Sequence, residues 1–361
     1  MIDKRVMQAR NGWHKELHSS LQSIPKAVEQ QLLSPDYLEQ QDALSAQFAM
    51  RVPAQFVEEI RLGEQGLRLQ FMPDLRELAV RDAELEDPTG DIPHSPIKGL
   101  VHRYPNRVLL KINHNCPAYC RFCFRREVVG KAQQTLSIHE IDAALDYIAE
   151  HTELVECILS GGDPLMLHDA ILEKVIKRLE SMEHIQLLRI HTRTLTLLPS
   201  RITSKLLAVL RNTRLTCWIV VHVNSVAELN PAAEEAINSC IGAGIPLLSQ
   251  TVLLKEVHKD SQTLAGLFLR LIRLRIKPYY LHYPDLAKGT SHFRLPLPEA
   301  LALYAEVKKT LPGYAVPFFV IDLPLGKGKV TLDSSTRVEL EPNLWQFVSP
   351  LDASTVVMDY R

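Results

Sequence analysis

The chain has 361 residues, 46% of them hydrophobic, with 41 Lys and Arg against 42 Asp and Glu and a formal net charge of -1. That is enough chain for one large domain with an appendage, or for two domains, and the balanced charge argues against direct nucleic-acid binding and against a charged tail. The N-terminal "MIDKRVMQARNGWHKE" has no signal-like apolar run, no stretch reaches the ~18 consecutive apolar residues of a membrane span, and a cytoplasmic protein is expected.

Residues 1–95 read as a mainly helical, polar region ("SIPKAVEQQLL", "LSAQFAMRVPAQFVEEI") that ends in the loop-rich stretch "EDPTGDIPHSPIKG", taken as a boundary. After about residue 105 the texture changes. Apolar, β-branched runs at 107–113, 155–160, 187–193, 215–223, 246–254, 278–283 and 315–322 predict strands. Amphipathic runs at 137–151, 168–182, 200–211, 231–243, 260–275 and 298–310 predict the helices between them. Continuous apolar strands alternating with helices imply a parallel sheet buried on both faces. Such units in long series imply an α/β fold built as a partial or closed (β/α) barrel, with a doubly wound open sheet as the alternative. The barrel is expected over 96–330, with 331–361 as a short C-terminal tail of little pattern.

A barrel carries its chemistry where strands end and loops begin. The first predicted strand runs into "NHNCPAYCRFCFRR", which holds Cys116, Cys120 and Cys123 inside eight positions. Cys157, Cys217 and Cys240 are scattered among apolar neighbours and read as core residues. In a reducing compartment a close cysteine trio is metal-binding or catalytic. Structural zinc would want a fourth ligand, from His114 or a distant residue. An iron–sulfur cube can be held by three thiolates, with its fourth iron left for a small molecule. The second strand ends in "LSGGDPL", where Ser160, Gly161, Gly162 and Asp163 offer close backbone approach and amides able to meet a carboxylate or amine. Later strand ends bring "HTR" at 191–193, His222 and Asn224, His282 and Asp285, and Asp322, with Gln250 inside the fifth strand. The stretch "DLPLGKGKV" then alternates Lys327 and Lys329 with glycines. It lacks the spacing of a Walker loop. It reads either as an exposed basic turn or as a lysine delivered to a carbonyl cofactor, with both lysines open to that role.

Taken in order, "GLVHRYPNRVLLKI", "CPAYCRFCFRR", "LSGGDPL", "RIHTRT", "LLPSRI", "LLSQTVLL", "GTSHFR" and "DLPLGKGK" resemble the lysine 2,3-aminomutase family, and the cysteine loop, with Phe122 before its last cysteine, resembles the radical S-adenosylmethionine signature. The resemblance covers roughly residues 92–330 and implies a radical S-adenosylmethionine barrel. It also implies an isomerase that uses a [4Fe–4S] cluster, S-adenosylmethionine and pyridoxal 5′-phosphate. It carries Cys116, Cys120 and Cys123 onto the cluster ligands. Ser160, Gly161, Gly162 and Asp163 stand at the S-adenosylmethionine motif, with Asp163 where Glu is usual. Lys329 takes the position of the pyridoxal phosphate lysine. Arg103, Arg107 and Gln250 match cofactor-phosphate and pocket positions. Arg125 matches the arginine that grips the substrate carboxylate, and Asp285 and Asp322 match the acids that receive its distal ammonium. Charges placed at both ends would measure lysine's length.

There are departures. Leu325 and Lys327 stand where glycines are frequent, Leu195 where proline is common, and Ser225 where histidine is frequent. No cysteine follows Cys240, whereas longer family members carry a C-terminal segment with metal-binding cysteines. The short tail and the "GKGK" loop resemble the bacterial branch that makes (R)-β-lysine for modification of translation elongation factor P. Expected partners are free L-lysine, a flavodoxin- or ferredoxin-type reductant, and a functional link to elongation factor P and its lysyl ligase. Oligomeric state is left open. The alternatives are a free-standing β-lysine producer, a related aminomutase for glutamate or ornithine, and a non-catalytic zinc-binding interaction module.

Overall fold

The apolar runs after residue 105 form seven parallel strands: β2 (Arg107–Asn113), β3 (Glu156–Gly161), β4 (Leu187–Thr192), β5 (Thr216–His222), β6 (Leu247–Val252), β7 (Ile276–His282) and β8 (Phe318–Leu323). Two edge strands join them antiparallel, β1 (Leu100–Tyr104) beside β2 and β9 (Gly328–Thr331) beside β8. The computed structural model describes residues 12–332 and 337–360; residues 1–11 of the predicted helical region, and 333–336 and 361 of the predicted tail, lie outside the described residues. Strand order follows the sequence from β1 to β9. Residues from every one of these strands line a single cavity, so the sheet curls into a nearly closed barrel and is not an open doubly wound sheet.

Strand faces divide by environment. In β4, Leu188 and Ile190 are fully buried in the helix–sheet core, while Arg189 and His191 turn to the cavity. The outer helices lie where their periodicity puts them. The helix Ser261–Arg273 buries Leu264, Leu267, Phe268 and Leu271 on one stripe, and Asp260 caps its first turn by accepting from the Thr263 amide. The predicted helix at 200–211 starts only at Ser204, because a turn at Pro199–Arg201 precedes it.

Residues 331–361 differ from the expected patternless tail. They hold three antiparallel strands, β10 (Arg337–Glu341), β11 (Leu344–Val348) and β12 (Thr355–Asp359). Trp345, Phe347 and Met358 pack into the barrel core, while Val338, Val348 and Val357 are exposed on the other side. Apolar residues on both faces blur the period-2 signal in the sequence. No helix among the described residues is long and apolar enough to cross a membrane.

The N-terminal helices build a second core from Ile24, Leu44, Phe56, Leu67 and Phe71, which Ala118 of the cysteine loop and Leu197 join. A buried ion cluster locks this region to the cysteine loop. Glu77 accepts from Arg121 at 2.9 and 2.6 Å and from Arg126 at 2.6 Å, with the Glu77 and Arg121 side chains fully buried. Removing the acid strands two buried cations. Glu77→Ala is therefore expected to cost about 3–5 kcal/mol in denaturant unfolding; a loss within experimental error would refute the clamp.

Candidate active site

The loop after β2 is stitched to the loop after β3. Gly162 N donates to Asn113 O at 2.6 Å, Asp163 N to Asn115 O at 2.7 Å, and the Asn113 side chain to Asp163 O at 2.9 Å. The glycines are required by this approach: a Cβ on Gly161 (φ +117°) would lie 2.2 Å from Asn113 O, and one on Gly162 2.4 Å from Asn115 O. This corrects one expectation. The amides of Gly162 and Asp163 face the cysteine loop's own carbonyls instead of lying free for a ligand. The Asp163 carboxylate is buried, accepts from Thr192 Oγ1 and Arg193 N at 2.8 Å each, and is pushed up by burial. Ser160 through Asp163 still line the cavity.

Cys116, Cys120 and Cys123 line the same cavity and form no disulfide. Burial raises all three thiols, Cys123 to about 11. The buried Arg193 guanidinium counters this at Cys120, donating to its Sγ at 2.8 Å while also pairing with Glu228 at 2.5 Å and Gln70 at 3.0 Å. Among the described residues, no three His, Cys, Asp or Glu side chains converge to share one metal ion. A cube asks for less convergence, because each thiolate takes its own iron at a separate corner. The three thiols on one loop, beside a buried cation, fit such a cluster.

At the other side of the cavity β9 carries Lys329 opposite Asp322 of β8. Its Nζ makes a close ion pair with Asp322, lies 3.3 Å from His282 Nδ1 and sits 5.3 Å over the Tyr280 ring. Lys327 turns outward and pairs with Asp352 at 2.6 Å. The structure thus separates two lysines that spacing left equivalent. Leu325, where glycine is frequent in the resembling family, adopts φ 57° with its side chain 68% exposed.

Asp285 lines the cavity near this pair. Burial, and next the charge of Asp322, push its carboxyl up to about 7. Asp322 goes the other way: burial raises it, but the Lys329 ammonium overrides that and holds it well below the usual range. The folded protein therefore binds a proton at Asp285 that the unfolded chain releases near pH 4, so this group's contribution to stability falls as pH rises from about 4 to about 7. A cationic ligand needs the ionised form. Its apparent dissociation constant is expected to rise by nearly tenfold for each unit below pH ~7, a dependence lost in Asp285→Asn. A flat titration from pH 5.5 to 8 in the unmutated protein would contradict this.

Between the two ends lies a cluster of cations. Arg125 Nε and Nη2 stand 3.4 Å from Asp91 Oδ2, and its Nη1 stands 3.4 Å from Ser160 Oγ. Lys111 and Arg103 meet the same Asp91 at 3.0 and 3.3 Å. Burial raises Asp91, but Arg125, Lys111 and Arg103 hold it down to about 2. Gln250 is half-buried on β6 and lines the cavity. Arg107 opens β2, so it lies at the strand end away from the cysteine loop, its guanidinium stacked 3.8 Å from the Tyr104 ring centre. The expected site residues thus do not all gather at one rim; they span the depth of the barrel. Asp91, Tyr280, His282, His191 and Arg193 line the cavity, and Lys111 pairs with Asp91, without any of them having been assigned a role from sequence.

The cavity measures about 1000 Å³, the upper end of the range for ligand pockets. Three residues that line it each hold a buried side-chain nitrogen with no hydrogen-bond partner: Arg103 Nε, His191 Nε2 and His282 Nε2. An amine and a cluster of guanidinium groups lining one large cavity fit a phosphorylated aldehyde cofactor.

Residues 110–265 match the family model of the radical SAM superfamily. The chain is 36% identical over 315 residues to an L-lysine 2,3-aminomutase of Haemophilus influenzae, covering 86% of this chain and 93% of that protein. It is 36% identical over 292 residues to an L-lysine 2,3-aminomutase of Buchnera aphidicola, covering 80% of this chain and 86% of that protein. A Fusobacterium nucleatum L-lysine 2,3-aminomutase is 36% identical over 277 residues, covering 77% of this chain and 65% of that protein. The chain spans only 59–65% of the length of four such longer curated relatives.

Proposed function

The chain belongs to the lysine 2,3-aminomutase family of radical S-adenosylmethionine enzymes, and from that premise we propose that it moves the α-amino group of L-lysine to the β-carbon, giving (R)-β-lysine. The family's cofactors are a [4Fe–4S] cluster, S-adenosylmethionine and pyridoxal phosphate. Cys116, Cys120 and Cys123 would hold the cluster, and Ser160 to Asp163 would face S-adenosylmethionine. Lys329 would hold the aldehyde of pyridoxal phosphate, and Arg103, Arg107 and Gln250 would meet the rest of that cofactor. Together these groups supply a carbon radical able to take hydrogen from the β-carbon and a π-system over which nitrogen can migrate.

The protein's part is placement. Arg125 receives the substrate carboxylate through paired N–H donors. Asp285 and Asp322 receive the distal ammonium, and since Asp322 already pairs with Lys329, one acid serves the chain's own amine and the incoming one in turn. Barrel walls and the covering loops keep water and stray hydrogen donors away from a reactive centre. The observation that carries this reading is that the three cysteines and Lys329 line one cavity, with Arg125 and the two acids in it as well. Anaerobic turnover of free L-lysine with chiral analysis of the product tests it; absence of β-lysine from a cofactor-loaded sample would refute it. A glutamate enzyme would want a cation where Asp285 and Asp322 stand.

The "GKGK" loop supports the branch whose product goes to elongation factor P through its lysyl ligase. The Arg125 clamp favours free lysine over lysine already joined through its carboxylate. A reductant of the flavodoxin or ferredoxin type would feed the cluster. In cells lacking this chain, elongation factor P is expected to lose the β-lysyl mass; an unchanged mass would sink the branch assignment.

A further inference from the structure

The stretch from Asp87 to Ser95 was read from sequence as a boundary, yet it straps two parts of the site together. Thr89 and Asp91 line the cavity. A Cβ on Gly90 would lie 2.1 Å from Gly326 N in the lysine loop, so strap and lysine loop are in backbone contact. The strap fixes its own shape: the Asp87 carboxylate accepts from the amides of Asp91 and Ile92 at 2.9 and 2.7 Å, and Ser95 Oγ donates to Asp91 O at 2.8 Å. That shape holds the Asp91 carboxylate between Arg125 of the cysteine loop, Arg103 of β1 and Lys111 of β2, all with side chains no more than 15% exposed. Arg103 also donates to Thr89 O at 2.6 Å.

This is not a balanced structural ion pair. Three half-buried cations meet one carboxylate directly, and two of them, Arg103 and Arg125, line the open cavity. A network built only for stability would be neutralised within itself. The surplus suits anionic ligands.

We propose that Asp91 is a positioning residue that aims Arg125 and Arg103 together, so that the substrate carboxylate and the cofactor phosphate are received as a linked pair. This rests on the aminomutase reading and adds to it a residue outside the resemblance. Asp91 touches neither ligand in this role; it acts through the two arginines.

The test compares L-lysine with L-lysinamide, which lacks the carboxylate, by calorimetric binding to the cofactor-loaded enzyme without reductant. The unmutated protein is expected to prefer lysine by on the order of 10²-fold. Asp91→Asn is expected to weaken lysine by roughly 10- to 100-fold, to leave lysinamide within about twofold, and to weaken pyridoxal phosphate but not pyridoxal in binding to the cofactor-free protein. Asp91→Glu, which keeps the charge, should recover most of the loss. Equal weakening of lysine and lysinamide would reduce Asp91 to a structural role, and tighter lysine binding in Asp91→Asn would make it a competitor for the site; either overturns the proposal. If Asp91→Asn fails to fold, the same comparison on Asp91→Ser decides, with lysine weakened and lysinamide spared as the expected result and equal weakening of both as the result that overturns the proposal. Failure of the unmutated protein to distinguish the two ligands would instead refute the Arg125 clamp on which the proposed function rests.

Discussion

Lys329→Ala is expected to abolish turnover, by on the order of 10³-fold or more, and to leave the purified protein without the visible absorbance of bound pyridoxal phosphate. The geometry gives the reason. Lys329 Nζ reaches the cavity between Asp322 and His282, over the face of Tyr280. The alanine change also takes the cation from Asp322, leaving His282 as its neighbour, so it combines lost chemistry with a poorly compensated charge. Lys329→Arg separates the two, since it keeps a cation beside Asp322 but cannot bond an aldehyde. It should lose the absorbance with a smaller loss of stability. Lys327→Ala breaks only an exposed pair with Asp352, a contact worth about 0–1 kcal/mol, and should keep the absorbance. If Lys327→Ala bleaches the protein and Lys329→Ala does not, the cofactor is joined at residue 327 and the site is wrongly drawn.

Cys120→Ser is expected to drop iron and sulfide from about four of each per chain to near zero, and to remove activity with them. A serine hydroxyl does not ionise as a thiol does, and metal binding requires the deprotonated ligand. Cys120 is the informative choice because the buried Arg193 already directs a donor at its sulfur. Cys240→Ala is the contrast. That thiol is fully buried on the helix Pro231–Gly242, and burial pushes it to about 12. It should keep its iron and lose only packing energy. Stoichiometric zinc in a colourless, anaerobically purified sample would favour the zinc-binding alternative instead.

The sequence made the parallel strands and outer helices legible because each is fully buried on at least one face, which imposes a clear period. The edge strands were not. Leu100–Tyr104 has a half-buried side and ends in a Pro-Asn turn, and Gly328–Thr331 is short and begins inside the glycine-rich lysine loop. The C-terminal sheet escaped for the related reason that it is apolar on both faces. In the site, the residues carried by motifs were legible and those recruited by tertiary crossing were not. Asp91 stands in a Pro- and Gly-rich loop with no periodic neighbour, and only folding brings it to Arg103, Lys111 and Arg125. Lys327 and Lys329 are equivalent by spacing, and an unbroken strand would put both on one face; Lys327 instead ends the turn Pro324–Gly326, before β9 begins at Gly328 (φ +91°), and this break separates them. The glycine motif shows a different limit. Its composition promised free amides, but the amides of Gly162 and Asp163 bind the cysteine loop, which composition alone does not reveal.

The most direct test of the account is the fate of hydrogen from the β-carbon. Lysine carrying deuterium at that position should be turned over anaerobically with S-adenosylmethionine, pyridoxal phosphate and reductant, and the S-adenosylmethionine recovered for mass analysis. The account predicts deuterium in the recovered S-adenosylmethionine together with β-lysine product. β-Lysine formed while that pool stays unlabelled would contradict it.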